Sequence, residues 1–273
     1  MSSMEATNLN IETLNRMFSE GKRFDKRSLT DFREIKVSYD VSNKAEGSAR
    51  VKLGKTEVVA GVKLGVSTPY PDSPTKGNLM ISCDLLPLAS PRYEIGPPKF
   101  NAIELPRLVD RAIRESGMVK LDQLCIVEGE KVWTVMIDIY PINDDGNMID
   151  AATMAAIAAL KATIVPVVDE NGKIDHYAKS DKKLPISDET WPLSITFFKL
   201  GNHLILDSTR EEEEACDVRI TWGISLREGQ HMINSCQKSG PVPMTKEEIE
   251  KMMSLLPGKY DELSGKMSKF FSN

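Results

Sequence analysis

The sequence predicts an α+β fold of two related sheet-and-helix units, with mixed sheets and helices packed on them. Three observations predict it. Runs rich in β-branched residues cluster over 33–66 and recur over 192–237. Each cluster leads into a helical period. Between them, 150–163 reads as a helix that is apolar around most of its circumference, and such a helix belongs between sheets. A chain of 273 residues, 41% hydrophobic and 27% charged, can bury a core of this kind without disulfides or metals.

Leu9, Ile11, Leu14, Met17 and Phe18 recur at helical spacing, with Gly21 as a C-terminal cap, so 1–30 forms an N-terminal helical extension. Ile35, Val37 and Tyr39 alternate as in a strand. Residues 48–53 and 56–66 continue the pattern around a turn at Gly54-Lys55-Thr56. The proline-rich run 67–100 reads as loop around one strand candidate, NLMISCDLLPL. A helical period then runs from Ala102 to Ser116. It puts Pro106 in the first turn, where a missing N–H costs little.

KVWTVMIDIYPI (131–142) is the clearest strand, and Asp144-Asp145-Gly146-Asn147 turns it into the apolar helix. The polar stretch 169–190, with a turn at Asp169-Glu170-Asn171-Gly172, marks a boundary. Strands follow in PLSITFFKL, NHLILD, DVRITWGIS and HMINSCQ. Thr245 and Glu248 have capping-box spacing for a helix that stops near Pro257-Gly258, with a short helical tail beyond. The units are therefore 31–168 and 190–258, with a tail at 259–273.

The net charge of −5 argues against a protein that coats nucleic acid with its whole surface. Any RNA binding must come from a local basic cluster or from a partner. Cys83, Cys125, Cys216 and Cys236 include no CxxC pair, so buried reduced thiols in a cytoplasmic protein are expected. Glu5 and Glu12 and the lack of a long apolar run argue against a signal peptide, and no stretch is long enough to span a bilayer.

Three constellations could carry chemistry. Arg107, Arg111 and Arg114 stand at i, i+4 and i+7, on one helical face. They could grip the phosphates of a nucleic-acid backbone bidentately. The plainer alternative is a solvated face neutralised by Asp110 and Glu115. Asp207 and Glu211 to Glu214 could hold a metal or act as acid and base. Their plainer reading is a solvated acidic helix N-terminus. The loop Asp144-Asp145-Gly146-Asn147-Met148-Ile149-Asp150 precedes a helix N-terminus, where anions bind, but its aspartates repel phosphate. His176, His203 and His231 match no ligand motif, and no nucleotide-binding or nucleophile-elbow motif is present.

Several stretches together resemble one family. AEGSARVKLGKTEVVAGVKLG resembles the opening strands of RNase PH-like proteins. PLASPRYEIGPP with AIELPRLVDRAIRES, VWTVMIDIYPINDDGNMIDAATMAAIAAL, LILDSTREEEEACDVRITW and SCQKSG are similar, in order and spacing, to the non-catalytic RNase PH-type subunit of the archaeal exosome. The resemblance covers about Gly21 to Leu256. It implies the RNase PH fold, whose two units are ribosomal protein S5 domain 2-like. It also implies a hetero-hexameric ring, a trimer of heterodimers, in which a catalytic RNase PH-like paralogue degrades single-stranded RNA from the 3′ end with inorganic phosphate and also carries tailing. Cap RNA-binding subunits complete the complex. On this resemblance the chain has no catalytic residues, metal or cofactor of its own, since phosphate and any divalent metal belong to the partner, and its RNA-binding residues are Arg107, Arg111 and Arg114.

The sequence departs from the catalytic relatives in three places. Their Gly-Ser-Arg or Gly-Thr-Arg phosphate loop is Gly146-Asn147-Met148 here. Their arginines before the next helix are replaced by Phe100-Asn101-Ala102-Ile103. Of their two aspartates six residues apart, Asp207 matches the first, and Glu213 stands at the second. A subunit without chemistry, a phosphorolytic 3′→5′ exoribonuclease in its own right, and an interaction module sharing the fold remain the competing readings.

Overall fold

The computed structural model describes residues 8–168 and 174–271. The first sheet contains β1 (Ile35–Tyr39), β2 (Gly47–Leu53), β3 (Thr56–Ser67), β4 (Asn78–Cys83), β5 (Cys125–Val127) and β6 (Lys131–Asn143). Its order is β1-β2-β3-β6-β4, with β5 pairing the start of β6. All its pairings are antiparallel except β4 with β6. A parallel pair needs a crossover connection, and α2 (Phe100–Ser116) lies in it.

Further along the chain come α3 (Met148–Lys161), β7 (Ile164–Val168) and β8 (Ile174–Lys183), then β9 (Leu193–Leu200), β10 (His203–Leu206), β11 (Val218–Arg227) and β12 (Gln230–Ser239). The last four form an antiparallel sheet, β10-β9-β11-β12. Helix α3 lies between the sheets and is buried at every position from Met148 to Leu160. Its small side chains let it approach both sheets closely, as its all-round apolar character predicts.

Strand β9 is also buried throughout. Leu193, Ile195 and Phe197 join the main core. Phe198 and Leu200 face the other way and pack with Leu14 and Phe18 of α1 (Asn8–Ser19). The period-two alternation of a strand thus explains why an N-terminal helix is needed on the outer face of the second sheet.

Two prolines act differently from expectation. Helix α2 starts at Phe100, so Pro106 lies in the second turn and not the first. Pro106 has no N–H to donate to the Ala102 carbonyl, close to the exposed start, while Leu105, Leu108, Val109, Ala112 and Ile113 bury another face. Nor does the last helix stop at Pro257-Gly258: α5 runs unbroken from Lys246 to Phe271, with Pro257 inside it. Met252, Leu256, Tyr260, Leu263 and Met267 form a buried stripe on both sides of the proline. Packing of that stripe outweighs the local cost of proline. The expected capping box is present: Thr245 N donates to Glu248 Oε2 (2.9 Å), and Glu248 N donates to Thr245 Oγ1 (3.2 Å).

Strands β7 and β8 pair with each other as a two-stranded ribbon. The Asp169–Gly172 turn expected between them, and Glu5, lie outside the described residues.

Candidate nucleic-acid interface and the adjoining pocket

Helix α2 packs its buried face between β4 of the first sheet and β11 and β12 of the second. Gly223 on β11 permits this: a Cβ there would stand 3.3 Å from Ala112 Cβ and 2.4 Å from Ser235 Oγ. The opposite face carries Arg107, Arg111 and Arg114, all exposed. They differ in what they touch. Arg114 donates from Nε to Asp110 Oδ2 (3.0 Å) and from Nη2 to Asp110 Oδ1 (2.6 Å) and the Leu79 carbonyl (2.9 Å). Its hydrogen bonds to Asp110 raise its pKa above the ordinary value. Arg107 and Arg111 make no hydrogen bond or ion pair among the described residues. They flank a shallow groove of about 230 Å³ between α2 and Gln237 of β12.

Beyond the start of α2, a pocket of about 210 Å³ opens beside the N-terminus of α3. Met148 and Ile149, the first residues of α3, line it. Its three arginines all have carboxylate partners. Arg210 pairs with Asp144 (2.9 Å) and Glu214 (3.2 Å), Arg92 with Glu214 (3.0 Å), and Arg219 with Glu104 (2.7 Å). Tyr93 donates its hydroxyl to Asp144 (2.8 Å), and burial with the nearby Asp144 charge raises the phenol's pKa.

Glu213 completes the lining. Its side chain is 21% exposed but recessed. Removal from water, with Asp144 beside it, pushes its carboxyl up to about 7. Carboxylates outnumber guanidinium groups here, so the pocket offers no free positive charge for an anion.

Behind the pocket lies a second set of ions. Asp207 is fully buried, with φ at 48°. It accepts from Arg33 N (2.7 Å), Nε (2.9 Å) and Nη2 (2.8 Å), from Arg27 Nη1 (3.0 Å) and from Asn147 Nδ2 (3.0 Å). Both carboxylate oxygens are saturated by protein donors. Glu212, 1% exposed, accepts from Arg23 Nε (2.8 Å) and closes a capping box with Thr209 at the start of α4 (Arg210–Ala215).

Of the acidic run, only Glu211 is the exposed helix-start residue its composition suggests. Glu212 is buried against a distant arginine, and Glu213 and Glu214 line the pocket. The loop before α3 is held just as firmly. The Gly146 carbonyl accepts from Thr56 Oγ1 (2.6 Å) and Arg33 Nη2 (3.0 Å). With φ at +86°, Gly146 sits so close to Thr209 that a Cβ would come within 2.5 Å of its carbonyl carbon. Asn147, also left-handed at φ 53°, bridges Asp207 and Asp150 through Nδ2. Asp150 is fully buried, and burial pushes its carboxyl up to about 7 against the pull of hydrogen bonds from Thr196 and Asn147.

Sequence spacing did not reveal Arg92, Arg210, Arg219 and Glu104 as one pocket, because they come from separate parts of the chain. The local hint is Arg219, a charge between the apolar Val218 and Ile220 of strand β11.

Family models match most of this architecture. The model for domain 1 of the 3′ exoribonuclease family, RNase PH, covers residues 31–166, and the model for its domain 2 covers 190–255. The chain belongs to the RNase PH family. Within that family it is 41% identical, over 97% of this chain and 95% of the relative, to the exosome complex component Rrp42 of Methanosarcina mazei. A chain in the solved structure of the Archaeoglobus fulgidus exosome with RNA bound to the active site is 39% identical, with a TM-score of 0.82 over 91% of this chain and 93% of that one. An archaeal exosome core chain is 35% identical, with a TM-score of 0.83 over 96% and 97%. The expected RNase PH fold, mixed sheets with packed helices, is the fold observed, and the Rrp42 family is the branch to which the chain belongs.

Proposed function

We propose that this RNase PH-family chain is the non-catalytic, RNA-holding member of an exosome ring in the cytoplasm. It alternates with a catalytic RNase PH-like paralogue as a trimer of heterodimers, under cap RNA-binding subunits. The partner supplies inorganic phosphate binding, any divalent metal and the 3′→5′ phosphorolytic and tailing chemistry. This chain supplies Arg107 and Arg111, which hold backbone phosphates upstream of the cleaved end and read no sequence. Arg114 adds a positive charge while staying tied to Asp110.

One observation carries the reading: every arginine in the pocket beside α3 is ion-paired, and those at the groove on α2 are not. Phosphorolysis needs a positive cradle for the attacking phosphate and the transferred group, which the neutralised pocket does not offer. Its likeness to chains of RNA-bound and core exosome structures supports the same reading.

The test is a salt titration of RNA binding by the assembled ring. Single-strand binding loses affinity with salt at a slope of about −0.7 per neutralised phosphate. Arg107→Glu with Arg111→Glu is expected to weaken binding and to flatten the slope by at least about 1. An unchanged slope overturns the assignment.

A further inference from the structure

The arginines on α2 do not stand alone. Phe100, Ile103, Glu104, Arg107, Leu108 and Arg111 form one stripe that lines the groove against Gln237. Phe100 is 68% exposed and Ile103 48% exposed. An exposed aromatic ring at the head of a helix adds nothing to the core, whereas the buried side of α2 is fully used. The one acidic residue of the stripe, Glu104, is neutralised by Arg219 at 2.7 Å. Gln237, on the opposite wall, makes no side-chain hydrogen bond among the described residues, so its amide is available as both donor and acceptor.

From this geometry we infer that the groove is a nucleobase seat of single-stranded RNA: Phe100 and Ile103 take the face of one base, Gln237 meets its edge, and Arg107 and Arg111 hold the flanking phosphates. The inference rests on the phosphate-holding role proposed above and extends it to a base. Charge complementarity selects the occupant. The groove has an apolar floor with two uncommitted guanidinium groups at one end, and a polyanion carrying flat apolar faces matches both features. At about 230 Å³ the groove is smaller than the roughly 300–1,000 Å³ of drug-sized ligand sites, which suits a single planar ring system. Aromatic stacking tolerates any base, so the seat grips RNA without selecting sequence, and the amide of Gln237 adjusts to different edges.

The experiment uses the full chain assembled with its catalytic paralogue and a short fluorescent oligoadenylate. Phe100→Ala is expected to weaken binding roughly 5- to 150-fold, the range for losing one stacked base, with the salt slope unchanged because no phosphate contact is removed. Phe100→Trp is expected to retain affinity. Replacing the adenosines one at a time by abasic nucleotides is expected to reveal one position at which Phe100→Ala has no further effect.

Normal binding by Phe100→Ala, with Arg107→Glu/Arg111→Glu still defective, removes the base seat and leaves the phosphate role standing. If both variants bind normally, both readings fall. If Phe100→Ala fails to co-elute with the paralogue, the groove is a protein contact and the inference is overturned. Since Phe100 is largely exposed, folding of the variant is not at issue, and circular dichroism of the variant chain verifies it.

Discussion

The pocket beside α3 and the ridge on α2 use the same side chain to opposite ends. In the pocket, Arg92, Arg210 and Arg219 each meet a carboxylate, and deeper in, Arg23, Arg27 and Arg33 are bound to Glu212 and Asp207. On the ridge, Arg107 and Arg111 meet nothing among the described residues. A guanidinium cannot lose its charge in a protein, so a buried one must be answered by an anion. An exposed one is free to be answered by a ligand. Counting arginines therefore says little about RNA binding. What matters is which of them remain unanswered once the chain has folded, and that distinction makes a net charge of −5 compatible with the local grip on a polyanion proposed above.

The interior ion pairs should matter most to stability. Glu212→Ala leaves Arg23, 2% exposed, buried without its anion. Removing one partner of a buried pair costs about 3–5 kcal/mol, and the variant also loses a capping-box contact. On the ridge, Arg107→Ala is expected to change stability by no more than about 0.5 kcal/mol, as for a surface substitution. Urea unfolding of the two variants measures both. Comparable losses at the two sites would show that Arg107 is built into the fold.

A smaller effect is expected from the pocket. The Glu213 carboxyl sits at about 7 in the folded chain against an ordinary 4.5. The native state therefore keeps a proton that the unfolded chain releases, and linkage fixes the sign. The contribution is fully present below about pH 4.5 and is lost as the pH rises to about 7. Glu213→Gln is expected to flatten the decline in stability across that window. Asp150, raised to a similar value, keeps part of the slope. Unfolding midpoints of the two proteins across the window measure the difference, and superimposable pH profiles would place Glu213 in contact with water.

Long regular elements were legible because their patterns have one physical solution. Helix α3 is apolar on all sides and could only lie between sheets. The Thr245–Glu248 spacing could only cap a helix. Strand β6 was plain in its β-branched and aromatic run. Prolines misled because their local cost is set by context: Pro106 falls near the exposed start of α2, and Pro257 has a buried stripe on both sides. The β7–β8 ribbon was missed because it joins neither main sheet, so β8 shows no apolar alternation.

Of the candidate site, the ridge could be read from spacing alone, since one helix carries it. The pocket could not, since it joins residues from β11, α2, the loop before α2, the start of α4 and the loop before α3. The acidic run at Glu211–Glu214 looked solvated for the same reason: besides the neighbouring Arg210, it is answered by Arg23 and Arg92, which lie more than a hundred residues away in sequence.

On the proposed function, this chain holds RNA and performs no phosphorolysis. The most direct measurement incubates the pure, unpartnered chain with single-stranded RNA, inorganic phosphate and magnesium, and follows release of nucleoside diphosphates. The arrangement of its arginines predicts none above background, with activity appearing only when the catalytic paralogue is added. Phosphate-dependent shortening of RNA by the chain alone would contradict it.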